Sequence, residues 1–157
     1  FDNIIVVHSF TKFYAVPGLR IGAAFSNPLI IEQLNSFIPT WSVNTLAQSY
    51  TEAALNDVEY VKRTKQVLHE EQLFMYNSLD TIDGITIYPP SANFMLFHIE
   101  QEGITAESIN EALKKHNMII RNCDSYMGLN NQWVRVAIKD HDTNVRLVEK
   151  LTDILKV

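Results

Sequence analysis

The sequence predicts an α/β protein built in two parts, and three features of its 157 residues carry that reading. Short runs rich in Ile, Val and aromatic residues, such as Ile4–Val7, Ile85–Tyr88 and Trp133–Ile138, have the length and composition of strands. Segments whose apolar residues recur at helical spacing alternate with them, as in helices packed on a sheet. One such segment, from about Val58 to Leu79, is a long amphipathic helix within which the boundary between the two parts is expected.

In chain order, Ile4–Val7 is expected as a buried strand running into Ser9, Thr11 and Lys12, with Leu19–Phe25 as a second buried strand after the Pro17-Gly18 break. Ser26-Asn27-Pro28 is a helix start, and Leu29, Ile30, Ile31 and Leu34 form a face expected to pack in the core. Pro39 sets a bend, after which a helix from about Thr45 carries Leu46, Ala47, Tyr50, Ala53, Ala54 and Leu55 on helical spacing. In the long helix Val61, Lys65, Leu68, Gln72, Met75 and Leu79 share one side. Beyond Gly84, Ile85–Tyr88 is a strand broken by Pro89-Pro90, and Phe94–Ile99 is the next. Thr105-Ala106-Glu107-Ser108 has the shape of a capping box before Ile109, Leu113 and His116. Met118–Ile120 and Trp133–Ile138 read as the last strands, before a helix from about Asp142 to Leu155.

A composition of 46% hydrophobic and 20% charged residues fits a soluble folded chain rather than a disordered one. No apolar run approaches the roughly 20 residues needed to cross a bilayer, so no membrane partner is expected. A net charge of -5 argues against nucleic acid as a partner. The single cysteine, Cys123, excludes an internal disulfide and suits a reducing compartment, so a cytoplasmic location is expected. The opening at Phe1, without methionine or leader, gives the expectation of a truncated chain.

Chemistry is concentrated where the first strand ends. The Lys12 amine, held in a pocket, can attack a carbonyl to form a Schiff base. The Ser9 and Thr11 hydroxyls and the Arg20 guanidinium are donors suited to a phosphate. Pyridoxal phosphate carries both an aldehyde and a phosphate. On residue types alone, the alternative is an ordinary loop, with Ser9 and Thr11 closing the strand, Lys12 in solvent and Arg20 paired with an acid.

The pattern Ser9-x-Thr11-Lys12, followed by Pro17-Gly18-Leu19-Arg20-Ile21-Gly22, resembles the cofactor-lysine signature of the class I/II aminotransferases and related decarboxylases, the fold-type I pyridoxal phosphate enzymes. Ile119-Ile120-Arg121-Asn122-Cys123, Gly128-Leu129 and Arg135-Val136-Ala137 are similar to segments of the threonine-phosphate decarboxylase subgroup, which belongs to cobalamin biosynthesis and is close to histidinol-phosphate aminotransferases. His8 departs from the residue expected before the serine.

The resemblance implies that residues 1–57 end a large cofactor domain, that the 58–80 helix connects, and that residues 81–157 form the small C-terminal domain. It implies that Lys12 bonds the cofactor, that Ser9, Thr11 and Arg20 contact its phosphate, and that Arg135 grips the substrate α-carboxylate. Arg121 is a candidate for substrate phosphate recognition, with a surface salt bridge as the alternative. Trp41 and Asn44 either shape the pocket or serve as a packing aromatic and a helix cap. The implied substrate is a phosphorylated amino acid or amine, and the implied intact protein is a homodimer. The implied activity is that of a lyase, a threonine-phosphate decarboxylase, with a histidinol-phosphate or other class I/II aminotransferase as the alternative. A structural or interaction fragment without turnover is the third reading. No metal is expected, since neither His-Glu-x-x-His nor Cys-x-x-Cys occurs. Cys123 has no recognisable activating partner and is read as structural or pocket-lining.

Overall fold

A computed structural model describes residues 2–156, so Phe1 and Val157 lie outside it. The chain divides into two compact units, one up to Val61 and one from Lys62, the division falling inside a single helix.

The first unit contains β1 (Val6–Ser9), α1 (Phe10–Phe13), a 3-10 turn (Pro17–Leu19), β2 (Gly22–Phe25), α2 (Pro28–Phe37), α3 (Thr45–Asn56) and the first turn of α4 (Val58–Leu79). β1 and β2 pair antiparallel, with Ser9 opposite Gly22 and Val6 opposite Phe25, so residues 10–21 form the connection between them. Asn27 caps α2 by accepting from the Ile30 N–H at 3.0 Å, and its amide donates to Asp2 O at 2.6 Å. Pro28 at the first helical position needs no hydrogen-bond partner for its nitrogen.

Both strands form, but they start later than expected, at Val6 rather than Ile4 and at Gly22 rather than Leu19, which lies in the 3-10 turn, and neither strand is buried as expected. Val7 is 77%, Phe25 58% and Leu29 72% exposed, because no described residue of this unit forms a second layer over the two-stranded sheet or the α2 face. Among the described residues of the unit, Phe10, Thr11 and Ala47 are buried, so its small interior joins the start of α3 to the turn that carries Lys12.

The second unit holds the rest of α4, then β3 (Ile85–Tyr88), β4 (Phe94–Ile99), α5 (Ala106–Lys114), β5 (Arg121–Asn122), β6 (Trp133–Ala137) and α6 (His141–Leu155). The sheet is antiparallel throughout, in the order β3-β4-β6-β5. Strand alternation sends Met95, Phe97, Ile99, Val134 and Val136 into a core shared with Met75 and Leu79 of α4, Ile109 and Leu113 of α5, and Leu151 and Leu155 of α6. The Thr105 capping box forms with Ser108 as its reciprocal partner.

Two local expectations fail for identifiable reasons. The α5 helix ends at Lys114 and excludes His116, since Asn117 takes the left-handed conformation at φ 58°. The strand expected at Met118–Ile120 begins only at Arg121, because the Asn110 side chain accepts from Ile120 N at 2.8 Å and donates to Ile120 O at 3.0 Å, occupying groups that a ladder would use.

A buried polar cluster ties α4 to the loop after β6. Asn144, 1% exposed, donates to Glu71 Oε2 at 2.7 Å and to Lys139 O at 3.0 Å, and accepts from Lys139 N at 2.9 Å. The other Glu71 oxygen lies 2.9 Å from His141 Nδ1. Truncation by Asn144→Ala strands these groups, so the unfolding free energy in a urea titration is expected to fall by about 1–3 kcal/mol, with the midpoint lowered and the slope unchanged.

Candidate active site

In the first unit Lys12 sits in a helix of four residues, too short to hold itself. Its entry is fixed by the β1–β2 register and by Phe10 N–H donating to Ile21 O at 3.2 Å. Gly22 permits this register: a Cβ there would lie 2.6 Å from His8 O, a backbone atom that cannot swing aside. The Lys12 amine is exposed and makes no hydrogen bond or ion pair among the described residues.

The Ser9 Oγ and Thr11 Oγ1 atoms are 2.9 Å apart, and Thr11 is 3% exposed. One hydroxyl donates to the other, leaving the second proton free for an acceptor. Arg20 spends one N–H on Pro17 O at 2.9 Å and retains the others of its fork. It does not pair with an acid among the described residues. An unpaired amine, a hydroxyl pair and a guanidinium, all carried within residues 9–20, make a donor set whose chemistry fits pyridoxal phosphate.

Asn44 is the N-cap of α3, its Oδ1 accepting from Ala47 N at 2.8 Å, while its Nδ2 donates to Leu19 O at 3.3 Å. It thus both caps a helix and holds the carbonyl immediately before Arg20. Trp41 is 93% exposed, so within this unit it is not the packing aromatic of the alternative reading.

In the second unit Arg121 and Arg135 are direct cross-strand partners, and the row continues through Leu96 to Tyr88 on the face opposite the core. Like charges placed directly opposite destabilise a sheet unless something offsets them. Here each guanidinium rests on an aromatic ring, Arg135 at 4.9 Å from the Phe94 centroid and Arg121 at 5.7 Å from that of Tyr126. Arg121 Nη2 also donates to Ser125 Oγ at 3.0 Å. Neither arginine is ion-paired among the described residues, which replaces the salt-bridge alternative for Arg121 with two adjacent cations able to receive anionic groups.

Cys123 is 1% exposed, and burial pushes its thiol up, against a weaker downward pull from Arg135 and Arg121. Its sulfur points to Arg121 O at 3.7 Å, a structural position. No group of metal-binding side chains occurs among the described residues, and none of their helices is long and apolar enough to cross a membrane.

Sequence reasoning missed Phe94, Ser125 and Tyr126 as supports of the arginines, and Tyr50 and Tyr60, whose hydroxyls reach the lysine turn. No periodicity signals a contact between a phenol and a carbonyl so far apart in the chain.

The chain belongs to the family described as aminotransferase class I and II, whose profile matches residues 2–151. It is 36% identical over 98% of its length to the threonine-phosphate decarboxylase of Salmonella typhimurium, covering 42% of that protein. It is 32% identical over 99% of its length to the histidinol-phosphate aminotransferase of Methanosphaera stadtmanae, again covering 42%. Among solved structures, the histidinol-phosphate aminotransferase of Clostridium acetobutylicum superposes with a TM-score of 0.93 at 27% identity, over 99% of this chain and 47% of that one. The chain thus spans less than half the length of these relatives, and its fold is that of the fold-type I enzymes.

Two outcomes follow from this geometry. Gly22→Ala drives a methyl into His8 O, so thermal or urea unfolding should show a loss of about 1–3 kcal/mol, with faster amide exchange at Ser9–Lys12. The Cys123 thiol, its pKa raised, should stay protonated and unreactive toward a thiol reagent near neutral pH, and react at the ordinary rate once the protein is unfolded in denaturant.

Proposed function

We propose that this chain is the C-terminal portion of a pyridoxal phosphate enzyme acting on a phosphorylated amino acid, of the threonine-phosphate decarboxylase kind. One observation carries the reading: the Lys12 amine stands unpaired in a stretch where the Ser9–Thr11 hydroxyl pair retains one donor and Arg20 several for a phosphate. In this reading residues 1–57 belong to the larger domain, 58–80 connect, and 81–157 form the small domain. The intact protein is a cytoplasmic homodimer.

Lys12 would hold the cofactor through its amine, and with the substrate in place its Nζ would accept or deliver a proton at the substrate Cα. Ser9, Thr11 and Arg20 hold the cofactor phosphate. When bound, pyridoxal phosphate supplies an electron sink for the bond broken at Cα. Arg135 orients the α-carboxylate through its planar fork, and Arg121 receives the substrate phosphate. Asn44 steadies Arg20 through Leu19 O, and Trp41 borders the pocket.

The paired arginines favour a substrate with two anionic groups. Threonine phosphate carries a carboxylate and a phosphate, whereas histidinol phosphate has no carboxylate. The second reading, a histidinol-phosphate aminotransferase, is supported by the 32% identity to such a protein and would use Arg135 on the carboxylate of the amino acceptor.

The test uses the full-length protein with pyridoxal phosphate. L-Threonine phosphate is expected to yield carbon dioxide and aminopropanol phosphate, and borohydride should fix the cofactor mass on the Lys12 peptide. Lys12→Ala should abolish both. Arg135→Lys, which replaces a fork by a point charge, should lower kcat/KM by about 10- to 100-fold, on the order of 1.4–2.8 kcal/mol. Transfer of an amino group from histidinol phosphate to 2-oxoglutarate, without decarboxylation, would move the assignment to the second reading. No cofactor mass on Lys12 in the folded protein would leave a chain without turnover.

A further inference from the structure

The carbonyls around Lys12 raise an accounting question that the cofactor reading leaves open. A helix leaves its last carbonyls without intrahelical partners, and in a one-turn helix that is nearly all of them. Here each carbonyl from Phe10 to Tyr14 has a donor. Phe10 O accepts from Tyr14 N at 3.2 Å, Thr11 O from Val16 N at 3.0 Å and Lys12 O from Ala15 N at 3.1 Å. The last two have no backbone donor and are taken by phenols: Phe13 O by the Tyr60 hydroxyl at 2.8 Å, and Tyr14 O by the Tyr50 hydroxyl at 3.0 Å.

We propose that Tyr60 and Tyr50 are positioning residues for Lys12, acting through the backbone of the two residues that follow it. The proposal rests on the reading of Lys12 as the cofactor lysine. Tyr50 comes from α3 and Tyr60 from the first turn of α4, so the turn is held from two helices. Tyr60 is itself fixed: its N–H donates to Asp57 Oδ1 at 2.8 Å, and its ring stacks on Tyr14 at 5.8 Å and meets Phe13 edge-on at 6.0 Å. Tyr50 is 41% exposed, so water can replace its hydroxyl at Tyr14 O more readily than it can replace the half-buried Tyr60 hydroxyl at Phe13 O. Tyr60 therefore has the larger effect. Neither phenol needs to touch cofactor or substrate for this role; each removes a degree of freedom from the chain that carries the amine.

Tyr60→Phe keeps the ring and deletes only the donor. In the full-length protein without cofactor, amide exchange at Tyr14, Ala15 and Val16 is expected to quicken by about tenfold, the scale of one lost hydrogen bond, while the second unit is unchanged. In the cofactor-loaded enzyme kcat should fall by about 3- to 10-fold with KM within about twofold, since positioning acts on the reacting geometry. Tyr50→Phe should show the same pattern more weakly, and the double variant a larger effect than either. If Tyr60→Phe does not fold, the Tyr50→Phe variant gives the same readings. Unchanged exchange and kcat in both single variants would overturn the inference, as would exchange that quickens across the whole unit or a change confined to KM. A wild-type protein that never carries cofactor on Lys12 would instead overturn the functional reading and, with it, the role for the tyrosines, whatever the exchange data show.

Discussion

A helix of one turn has almost no backbone hydrogen bonds of its own, so the shape of the Phe10–Phe13 turn is set by the groups around it. The β1–β2 pairing fixes where the turn starts, and it exists because Gly22 lets the strands approach. Asn44 reaches from the start of α3 to Leu19 O, and two phenols take the carbonyls after Lys12. Thr11 and Phe10 are buried within the same turn. The turn is thereby held by β2, α3 and the start of α4 as well as by its own few hydrogen bonds.

The second unit reaches its site by the opposite route, through regular structure. Strand alternation puts Val134 and Val136 into the core, and so sends Arg135 to the other face. Pairing with β5 then puts Arg121 directly beside it. The rigid layer beneath, with Phe97, Leu113 and Leu151 fully buried, fixes the backbone positions of both cations. Their side chains are steadied by Phe94, Tyr126 and Ser125 rather than by acids, which leaves the charges available.

What the sequence makes legible is mostly local. Asn27 and Asn44 cap helices, Thr105 opens a capping box, and α4 spans Val58–Leu79, because caps and helical periods act over a few residues. The lysine turn is legible for another reason, as a motif whose residue types match a chemistry. Burial of β1, β2 and the α2 face was not legible, since an apolar run reads the same whether or not a second layer covers it. Tyr60 and Phe13, or Asn144 and Glu71, meet across 47 and 73 residues, and no local rule joins them. Arg121 and Arg135 were each visible as candidates, but their side-by-side placement depends on a strand register that only the fold sets.

The backbone around the lysine also breaks local rules. Ala15 and Arg20 take φ values of 53° and 51°, and Trp41 one of 65°. A side chain in the left-handed region costs on the order of 1–2 kcal/mol relative to glycine. The turn does contain a glycine, but it is Gly18, whose φ is not in that region and beside which a Cβ would meet nothing within 4 Å. Arg20 occupies the strained position two residues later. Glycine at 20 would relieve the backbone and delete the guanidinium, so the strain is the cost of keeping a cation at that point of the loop. The surroundings hold it there: Arg20 bonds back to Pro17 O, and Asn44 grips the carbonyl just before it. That combination fixes Arg20 at a position where glycine is preferred while leaving most of its guanidinium fork unspent, since only one of its N–H groups is taken by the loop itself.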